Sequence, residues 1–363
     1  LKNSYEKTPL CLMQSMVLLI FFGIFSNDLN VTKTMNSRLV TLIKLVKLTK
    51  LNLPLESIQM PPIESDHVLQ YQDNPELLSK MRAQYNTPEQ IVKDFQYFIT
   101  AQARIRTCHM LLLISNLFTS FVGLESCFHS IDLKCGVPCF YEKLYMCENA
   151  IEWGKNLSRY HIVLDSKFSL IQLANGFEDY QHCLMYISTG SQYYFETSKV
   201  SFKTLLSMLI SIHEKIFMER NSLKHEDNIQ NYEMKWRMNS RPAIESMLKY
   251  WEALYIKNGG ILIRNEENIP LINENPAMSL IIVLHLFANI RKCVYLTDVM
   301  NKAWLKQWTE MNQALDNFCS DWDSLREATD YALNVIDFWA DTVSIMQNAE
   351  RTAIGTPIFS ITC

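Results

Sequence analysis

The stretch of this sequence that decides its fold is AQARIRTCHMLLLISNLF, residues 101–118. Apolar side chains at Ile105, Leu112, Leu117 and Phe121 approximate the spacing that places residues on one face of an α-helix. The width of this apolar face predicts a helix buried on one broad side.

The same helical signal extends over residues 100–159, and we expect it to break at Gly136-Val137-Pro138-Cys139. Glycine tolerates a positive φ, and proline lacks the amide hydrogen that a continuing helix requires. No nucleophile lies beside a base here. The stretch therefore indicates architecture and not catalysis.

The composition predicts an all-α fold, with amphipathic helices packed around one extended core. Apolar residues make up 48% of the 363 residues and charged residues 20%, which excludes a disordered chain. Only 9 glycines and 11 prolines are present, which favours helices over a many-stranded sheet. The chain starts at Leu1, not at methionine, so we expect a fragment of a longer protein.

Proline, glycine and polar residues that interrupt the helical pattern divide residues 1–363 into a series of segments. We predict a helix pair over 8–60, a polar connection over 61–87, a central helical block over 88–220, a variable connection with a helix over 221–275, and C-terminal helices over 276–363.

Local signals predict where individual helices begin and end. Thr87-Pro88 is typical of a helix start, with threonine as the N-cap and proline in the first turn. Gly259, in an Asn-Gly-Gly run, predicts the end of a helix. Trp304 and Trp308 lie four residues apart and predict one packed helix face.

Charge and hydropathy argue against nucleic-acid binding and membrane insertion by these residues. A net charge of −4 argues against a groove for nucleic acid within these residues, since phosphate binding needs clustered lysine and arginine. The apolar run at residues 16–25 is too short to span a bilayer, so we expect no membrane partner. The ten cysteines are scattered among apolar residues, which suits reduced, buried thiols.

Cys127, Cys135, Cys139 and Cys147 raise the question of a zinc site. Structural zinc sites use a short pair of cysteines in each half, and only Cys135 and Cys139 have that spacing. We therefore predict no metal ligand in this segment.

Several short motifs resemble the regulatory region of fungal transcription factors, also called the middle homology region. The motifs that carry the resemblance are the apolar run at 15–26, Ala103-Arg104-Ile105-Arg106-Thr107, Ser115-Asn116-Leu117-Phe118, Val137-Pro138-Cys139 and Asn149-Ala150-Ile151-Glu152-Trp153. The pattern is most similar to members that carry two-cysteine, two-histidine zinc fingers. A tryptophan expected between the Pro-Cys and Glu-Trp motifs is replaced, and Tyr145 is its candidate substitute.

This resemblance implies an effector segment of a nuclear zinc-finger transcription factor that controls RNA polymerase II genes. No finger pattern occurs in the chain, so DNA contact and the zinc cofactor are expected in a module outside it. Transcriptional co-regulators and self-association are the expected partners.

The motifs nominate five residues for a structural or regulatory role: Arg104, Arg106, Pro138, Cys139 and Trp153. We expect Arg104 and Arg106 to pair with acids or to bind backbone carbonyls in the core, and Trp153 to be buried. We predict no catalytic, cofactor-binding or metal-binding residue.

The alternative is a helical enzyme or a protein that binds an apolar ligand. A magnesium-diphosphate site needs an Asp-Asp-x-x-Asp cluster, which is absent. His213-Glu214 is not part of a zinc-protease helix, because no second histidine follows at the required spacing. The chain is therefore predicted not to be an enzyme.

Overall fold

The structure, a computed structural model, describes residues 8–24, 26, 28–62, 87–164, 166–191, 199–223, 229–263, 267–274, 276–316 and 322–351. Within these ranges the regular elements are α-helices and short 3₁₀ or π turns, and there is no β-strand. The prediction of an all-α chain is confirmed.

Fifteen α-helices are present in the described ranges. They are α1 Leu10–Ile24, α2 Leu29–Leu48, α3 Pro88–Val122, α4 Glu142–Tyr145, α5 Ala150–Arg159, α6 Lys167–Ala174, α7 Tyr180–Thr189, α8 Phe202–Ser222, α9 Ile229–Lys235, α10 Arg241–Lys257, α11 Ile269–Glu274, α12 Pro276–Cys293, α13 Thr297–Trp304, α14 Trp308–Asp316 and α15 Trp322–Arg351.

The chain forms two compact units, whereas the sequence led us to expect one extended core. Unit 1 comprises residues 1–114, 127–186 and 191–204, and unit 2 comprises residues 115–126, 187–190 and 205–363. Helix α3 contributes residues to both units, and so does α8.

Helix α3 begins where the sequence predicts. Thr87 caps it, because its Oγ1 accepts a hydrogen bond from the Gln90 amide at 3.2 Å. The helix ends at Val122, well before the break expected at Gly136. Gly123 stops it with a φ of +75°, and a Cβ added there would lie 2.9 Å from the Thr297 carbonyl oxygen. A small residue that tolerates positive φ is thus required at this position.

Unit 1 is built on α1, α2 and the first part of α3. Asp28 caps α2 by accepting the Asn30 amide at 2.8 Å, and α1 and α2 pack against each other. One cluster of buried side chains in this unit includes Phe98, Leu144, Trp153 and Leu170, and it lies between α3 and the helices α4–α6.

Unit 2 is built mainly from α8, α10, α12 and α15. Its apolar contacts join α12 to α15, with Ile290 and Ala328 among the buried residues. Between α9 and α10 the chain forms a π-helical turn, Trp236–Ser240, so the helical path continues through Pro242 without a sharp break. Gly259, with a φ of +83°, follows the end of α10, as predicted.

The predicted common face of Trp304 and Trp308 is wrong. Trp304 ends α13 and Trp308 begins α14, with Lys306 between them in the left-handed region at a φ of +58°. Trp308 is 58% exposed. The four-residue spacing of the two tryptophans indicated one helix, but a turn between two helices separates them.

By length and composition alone, α3 could cross a bilayer. However, 78% of its most apolar 18-residue window is buried inside the protein. This is the burial expected of a core helix, since the apolar surface is already covered by other parts of the chain.

Candidate functional site

The nominated residues all lie in unit 1, around a loop that we call the Pro-Cys loop, residues 136–139. This loop follows an irregular segment after α3 and precedes α4. It has no helix or strand of its own, so its backbone polar groups need other partners. Side chains from α3 and from the start of α8 supply most of them.

Gln102 of α3 is the central contact of the loop, and its side chain is fully buried. Its Nε2 donates to the carbonyl oxygens of Val137 at 3.2 Å and Ala174 at 2.9 Å. Its Oε1 accepts the amide hydrogen of Cys139 at 2.9 Å. One neutral amide therefore satisfies three backbone groups and joins the loop to the end of α6.

His109, two turns further along α3, binds the beginning of the loop. Its Nε2 lies 3.1 Å from the carbonyl oxygen of Gly136, and its ring packs edge-on against Tyr180 at 5.0 Å. Burial lowers the pKa of His109 to about 4. The ring is therefore neutral at physiological pH and donates its hydrogen to the carbonyl.

Pro138 contributes a carbonyl to the start of α8. Ser201 Oγ donates to this oxygen at 3.0 Å, and Thr204 Oγ1 lies 3.4 Å away. Ser201 Oγ also accepts the Thr204 amide at 3.2 Å, as an N-cap does. The proline thus occupies the point where the loop meets α8.

Cys139 is a buried thiol without the features of a nucleophile. Burial raises its pKa to about 11, so the reactive thiolate is not populated at neutral pH. The pKa of Cys135 is also raised, by the neighbouring Cys108 thiol and by burial. Within the described ranges, no three side chains of histidine, cysteine, aspartate or glutamate converge as metal ligands.

Arg104 binds a backbone carbonyl and Arg106 pairs with an acid, but these contacts were expected in the core and neither is fully buried. Arg104 Nη2 donates to the Lys50 carbonyl at 2.7 Å, just beyond the end of α2, where Lys50 has a φ of +54°. Arg106 Nη1 pairs with Glu142 Oε2 at 3.0 Å, and its guanidinium lies 4.1 Å from the centre of the Tyr145 ring.

Neither arginine is fully buried. Burial lowers the pKa of Arg104, but its side chain still reaches solvent. The Arg106 side chain is 12% exposed and its partner Glu142 is 38% exposed. Because water screens the Glu142 carboxylate, we expect the pair to contribute about 1 kcal/mol or less. Tyr145, the candidate substitute for a missing tryptophan, packs beneath Arg106.

Trp153 lies in the centre of the unit 1 core with no exposed surface. Its ring centroid is 5.7 Å from Phe95 and 5.6 Å from Phe98. Asn149 caps α5 by accepting the Glu152 amide at 3.0 Å, which places Trp153 at the end of the first turn. Trp153 Nε1 has no hydrogen-bond partner among the described residues.

The structure therefore gathers the nominated residues into one region without giving them catalytic geometry. Cys139 and Trp153 belong to the same buried cluster, and Arg106 and Pro138 border it. The sequence reading missed Gln102 and His109. A signal was available for Gln102: it occupies the middle of the apolar stripe formed by Phe98, Ala101 and Ile105.

Unit 2 contains a second polar region, which the sequence reading also missed. We call it the basic cluster: Arg220, Arg241, Arg291 and Lys292. Arg220 is 2% exposed, and its Nη1 pairs with Glu233 Oε1 at 3.1 Å. Its guanidinium lies 3.8 Å from the centre of the Trp236 ring.

The remaining members of the basic cluster have different partners. Arg241 and Lys292 share Glu327, at 2.6 Å and 3.1 Å. Arg291 forms no ion pair with a described acid. Its Nη1 contacts Ser120 Oγ at 3.2 Å and His213 Nδ1 at 2.9 Å.

Burial controls the protonation of this region. Burial lowers the pKa of Arg291 to about 9, and burial together with the nearby Arg291 charge lowers the pKa of His213 to about 3. The His213 ring is therefore neutral at physiological pH. Its Nε2–H donates to the Leu284 carbonyl at 2.9 Å, and its Nδ1 accepts from Arg291.

Comparison with known proteins gives two relatives from Saccharomyces cerevisiae. One is named "Probable transcription factor TDA9", and it is 55% identical to the chain over 364 aligned residues. This alignment covers 100% of the chain and 29% of the relative. The chain is 51% identical over 364 aligned residues to one named "Respiration factor 2", covering 99% of the chain and 26% of the relative.

No family model matches the chain, and no solved structure matches it. The chain spans less than a third of the length of the two relatives. The match nevertheless supports the resemblance to fungal transcription factors, since the name of one relative carries that function. This chain is homologous, along essentially its whole length, to a segment of two yeast proteins, one of them named a probable transcription factor.

Proposed function

We propose that this chain is a regulatory segment of a nuclear transcription factor that controls RNA polymerase II genes. The observation that carries the proposal is the 55% identity, across the whole chain, to the protein named a probable transcription factor. The relative's transcriptional role is thereby extended to this chain by homology.

In this proposal the DNA-binding zinc fingers and their zinc lie in another part of the parent protein. The net charge of −4 supports this division, because non-specific DNA affinity depends on phosphate neutralisation by basic side chains. The members of the basic cluster of unit 2 are bound to carboxylates, rings or backbone oxygens within the fold. They are poorly placed to contact phosphates.

The segment acts through protein contacts, with co-regulators or a second copy as partners, and not as an enzyme. Arg104, Arg106, Pro138, Cys139 and Trp153 serve by holding unit 1 in shape. The raised pKa of Cys139 supports a structural role for its thiol, because a thiolate is needed for nucleophilic attack or metal binding.

The test joins all 363 residues to a heterologous DNA-binding domain in yeast and measures a reporter gene whose promoter carries its site. We expect a change in reporter expression, and we expect the Trp153→Ala fusion to lose it because its core is disrupted. A Trp322→Ala fusion is the control, since that indole is 80% exposed. An unchanged reporter, with the fusion folded and nuclear, would contradict a regulatory role.

A second measurement separates regulation from DNA binding. The isolated chain is titrated with duplex DNA at physiological salt, and we expect no sequence-selective binding. Tight selective binding by these residues alone would move the DNA-reading function into this segment and contradict the proposed division.

A further inference from the structure

Unit 1 has a surface groove of about 720 Å³, which Gly136 of the Pro-Cys loop helps to line. We call it the acidic groove. Its walls come from the turn after α2 and from the region where α6 ends and α7 begins. The residues that matter for its chemistry are Glu56, Phe168, Ile171, Phe177 and Asp179.

The apolar wall of the acidic groove contains one exposed ring, Phe168, and two partly buried side chains, Ile171 and Phe177. Phe168 is 65% exposed, although it lies next to the apolar Ile171 in the lining. Phe177 is half-buried and has a φ of +67°, directly after Gly176 at +73°. Its amide bonds to the Gln172 carbonyl at 2.7 Å, which closes the end of α6 and fixes the Phe177 backbone beside the groove.

The polar wall is formed by two carboxylates whose positions are set by the fold. Glu56 Oε1 accepts the side-chain amide of Asn175 at 2.9 Å. Asp179 Oδ1 accepts the Gln181 amide at 2.7 Å, and its backbone pairs with Gly136 of the Pro-Cys loop. Both carboxylates therefore stay at the groove without reorganisation.

These carboxylates form no ion pair with a lysine or arginine in the part of the chain that the structure describes. Among the described residues that line the acidic groove there is no lysine or arginine, and the basic side chain is that of His182. Glu178, which is 7% exposed, adds a third acid to the lining. A ligand that brings a positive charge would gain attraction here, and an anionic ligand would be repelled.

We infer that the acidic groove binds a basic peptide segment of a partner protein through an arginine side chain. A guanidinium is planar, bonds to carboxylates through paired N–H groups, and stacks on aromatic rings. The groove offers carboxylates and the exposed Phe168 ring within one concave surface. Since the partner is a protein, this inference rests on the partner-contact role proposed above.

The open shape of the groove supports a peptide as the occupant. An exposed phenylalanine at the rim extends the apolar contact surface to residues that flank the arginine. A small free cation would fill the carboxylate end and leave Phe168 uncovered.

The test measures fluorescence anisotropy of a labelled peptide that carries one arginine flanked by leucines, titrated with the 363-residue chain. A matched peptide replaces the arginine with citrulline, which keeps the shape and removes the charge. We expect the arginine peptide to bind about five- to tenfold more tightly, because it would contact two carboxylates and one partly solvated charge pair contributes up to about fivefold.

Three variants locate the binding. Glu56→Gln retains an acceptor for Asn175, and Asp179→Asn retains an N-cap for α7, so both should fold. We expect each to weaken binding of the arginine peptide about threefold or more, and Phe168→Ala to weaken binding of both peptides. Asp330→Asn, an exposed acid on α15, makes the same change in net charge away from the groove and should leave binding unchanged.

Several outcomes would overturn the inference. They are the absence of saturable binding, equal binding of the citrulline peptide, equal loss in Asp330→Asn, and full competition by free arginine at the peptide's own concentration. Circular dichroism of each variant shows whether a loss reflects unfolding. The reporter assay with the fusion is independent of these titrations. A groove that binds no peptide can therefore be distinguished from a segment that does not change reporter expression.

Discussion

The two units bury polar groups in different ways. In unit 1, the neutral side chains of Gln102 and His109 satisfy the backbone of the buried Pro-Cys loop. Unit 2 uses charges: Arg220 is paired with Glu233, and Arg291 is buried with His213 and Ser120 as partners.

This difference has an energetic meaning. A neutral amide that satisfies backbone groups offsets its own burial, since every hydrogen bond that it loses to water is replaced. A buried charge must recover a much larger desolvation free energy, and removing one partner leaves the other exposed to that penalty. We therefore expect unit 1 to respond mainly to changes in volume and unit 2 to changes in charge.

The largest effect is expected from Trp153→Ala in unit 1. The ring is fully buried against Phe95 and Phe98, so its removal leaves a cavity and should lower the free energy of unfolding by about 3–5 kcal/mol. Urea denaturation followed by circular dichroism measures the change. Trp322→Ala should shift it by about 0.5 kcal/mol or less, since that ring is 80% exposed.

The second-largest loss in the free energy of unfolding is expected from Arg220→Met in unit 2. Methionine keeps much of the side-chain volume but leaves Glu233 without its cation, and we expect a loss of about 3 kcal/mol. Arg326→Met, at an exposed position of α15, is the matched control. Recovery of stability in Arg220→Met with Glu233→Gln would show that charge is the cause; a double variant no more stable than the single one would argue for lost packing on Trp236.

Gln102→Leu tests how much the hydrogen bonds of the neutral Gln102 amide contribute to the stability of unit 1. Leucine fits the apolar stripe of α3 but leaves the Val137 and Ala174 carbonyls and the Cys139 amide without their partner. We expect a loss of about 2–3 kcal/mol, given about 1–3 kcal/mol for each buried unpaired group and partial relaxation. Gln102→Glu, of equal size, cannot donate to the carbonyls. If it proved as stable as the native chain, the bonding scheme described for the loop would be wrong.

Lowering the pH should destabilise unit 2 more than unit 1, and this effect is smaller than those of the substitutions above. The folded pKa of His213 is about 3, below its unfolded value near 6.5, so between these pH values the unfolded state binds more protons and stability falls as the pH is lowered. At pH 5 the loss is about 2 kcal/mol. In unit 1 the pKa of His109 is lowered to about 4, but burial raises the pKa of Asp94 to about 6, and that carboxyl acts in the opposite direction.

Hydrogen exchange at pH 7 and pH 5, corrected for intrinsic rates, measures this prediction in each unit. We expect protection to fall more in unit 2 than in unit 1. His213→Gln should remove most of the difference, and an equal fall in both units would contradict the assigned roles of His213 and Asp94.

Much of the fold could be predicted because it depends on local signals. The N-cap at Thr87 and the stop after α10 both follow from residues a few positions apart. The end of α3 could not be predicted in this way, since Gly123 is required by its approach to Thr297, a residue far away in sequence.

The candidate site shows the same limit. The burial of Trp153 and the contacts of Arg104 and Arg106 were expected from their residue types. The partners of the Pro-Cys loop were not, because Gln102, His109 and Ser201 meet it only through tertiary packing. A buried polar residue in an apolar stripe is visible in the sequence, but its hydrogen-bond partners are not.

The assignment of α3 to both units has a consequence for the order in which the chain can fold during synthesis. Residues 115–126 belong to unit 2, yet most of that unit begins only at Leu205. As the chain leaves the ribosome, the segments of unit 1 are made first, while the apolar end of α3 still lacks its contacts with Phe287 and Arg291 of α12. That end is then a surface for chaperones or aggregation until α12 has been made. A nascent chain stalled before Leu205 should bind chaperones through residues 115–122.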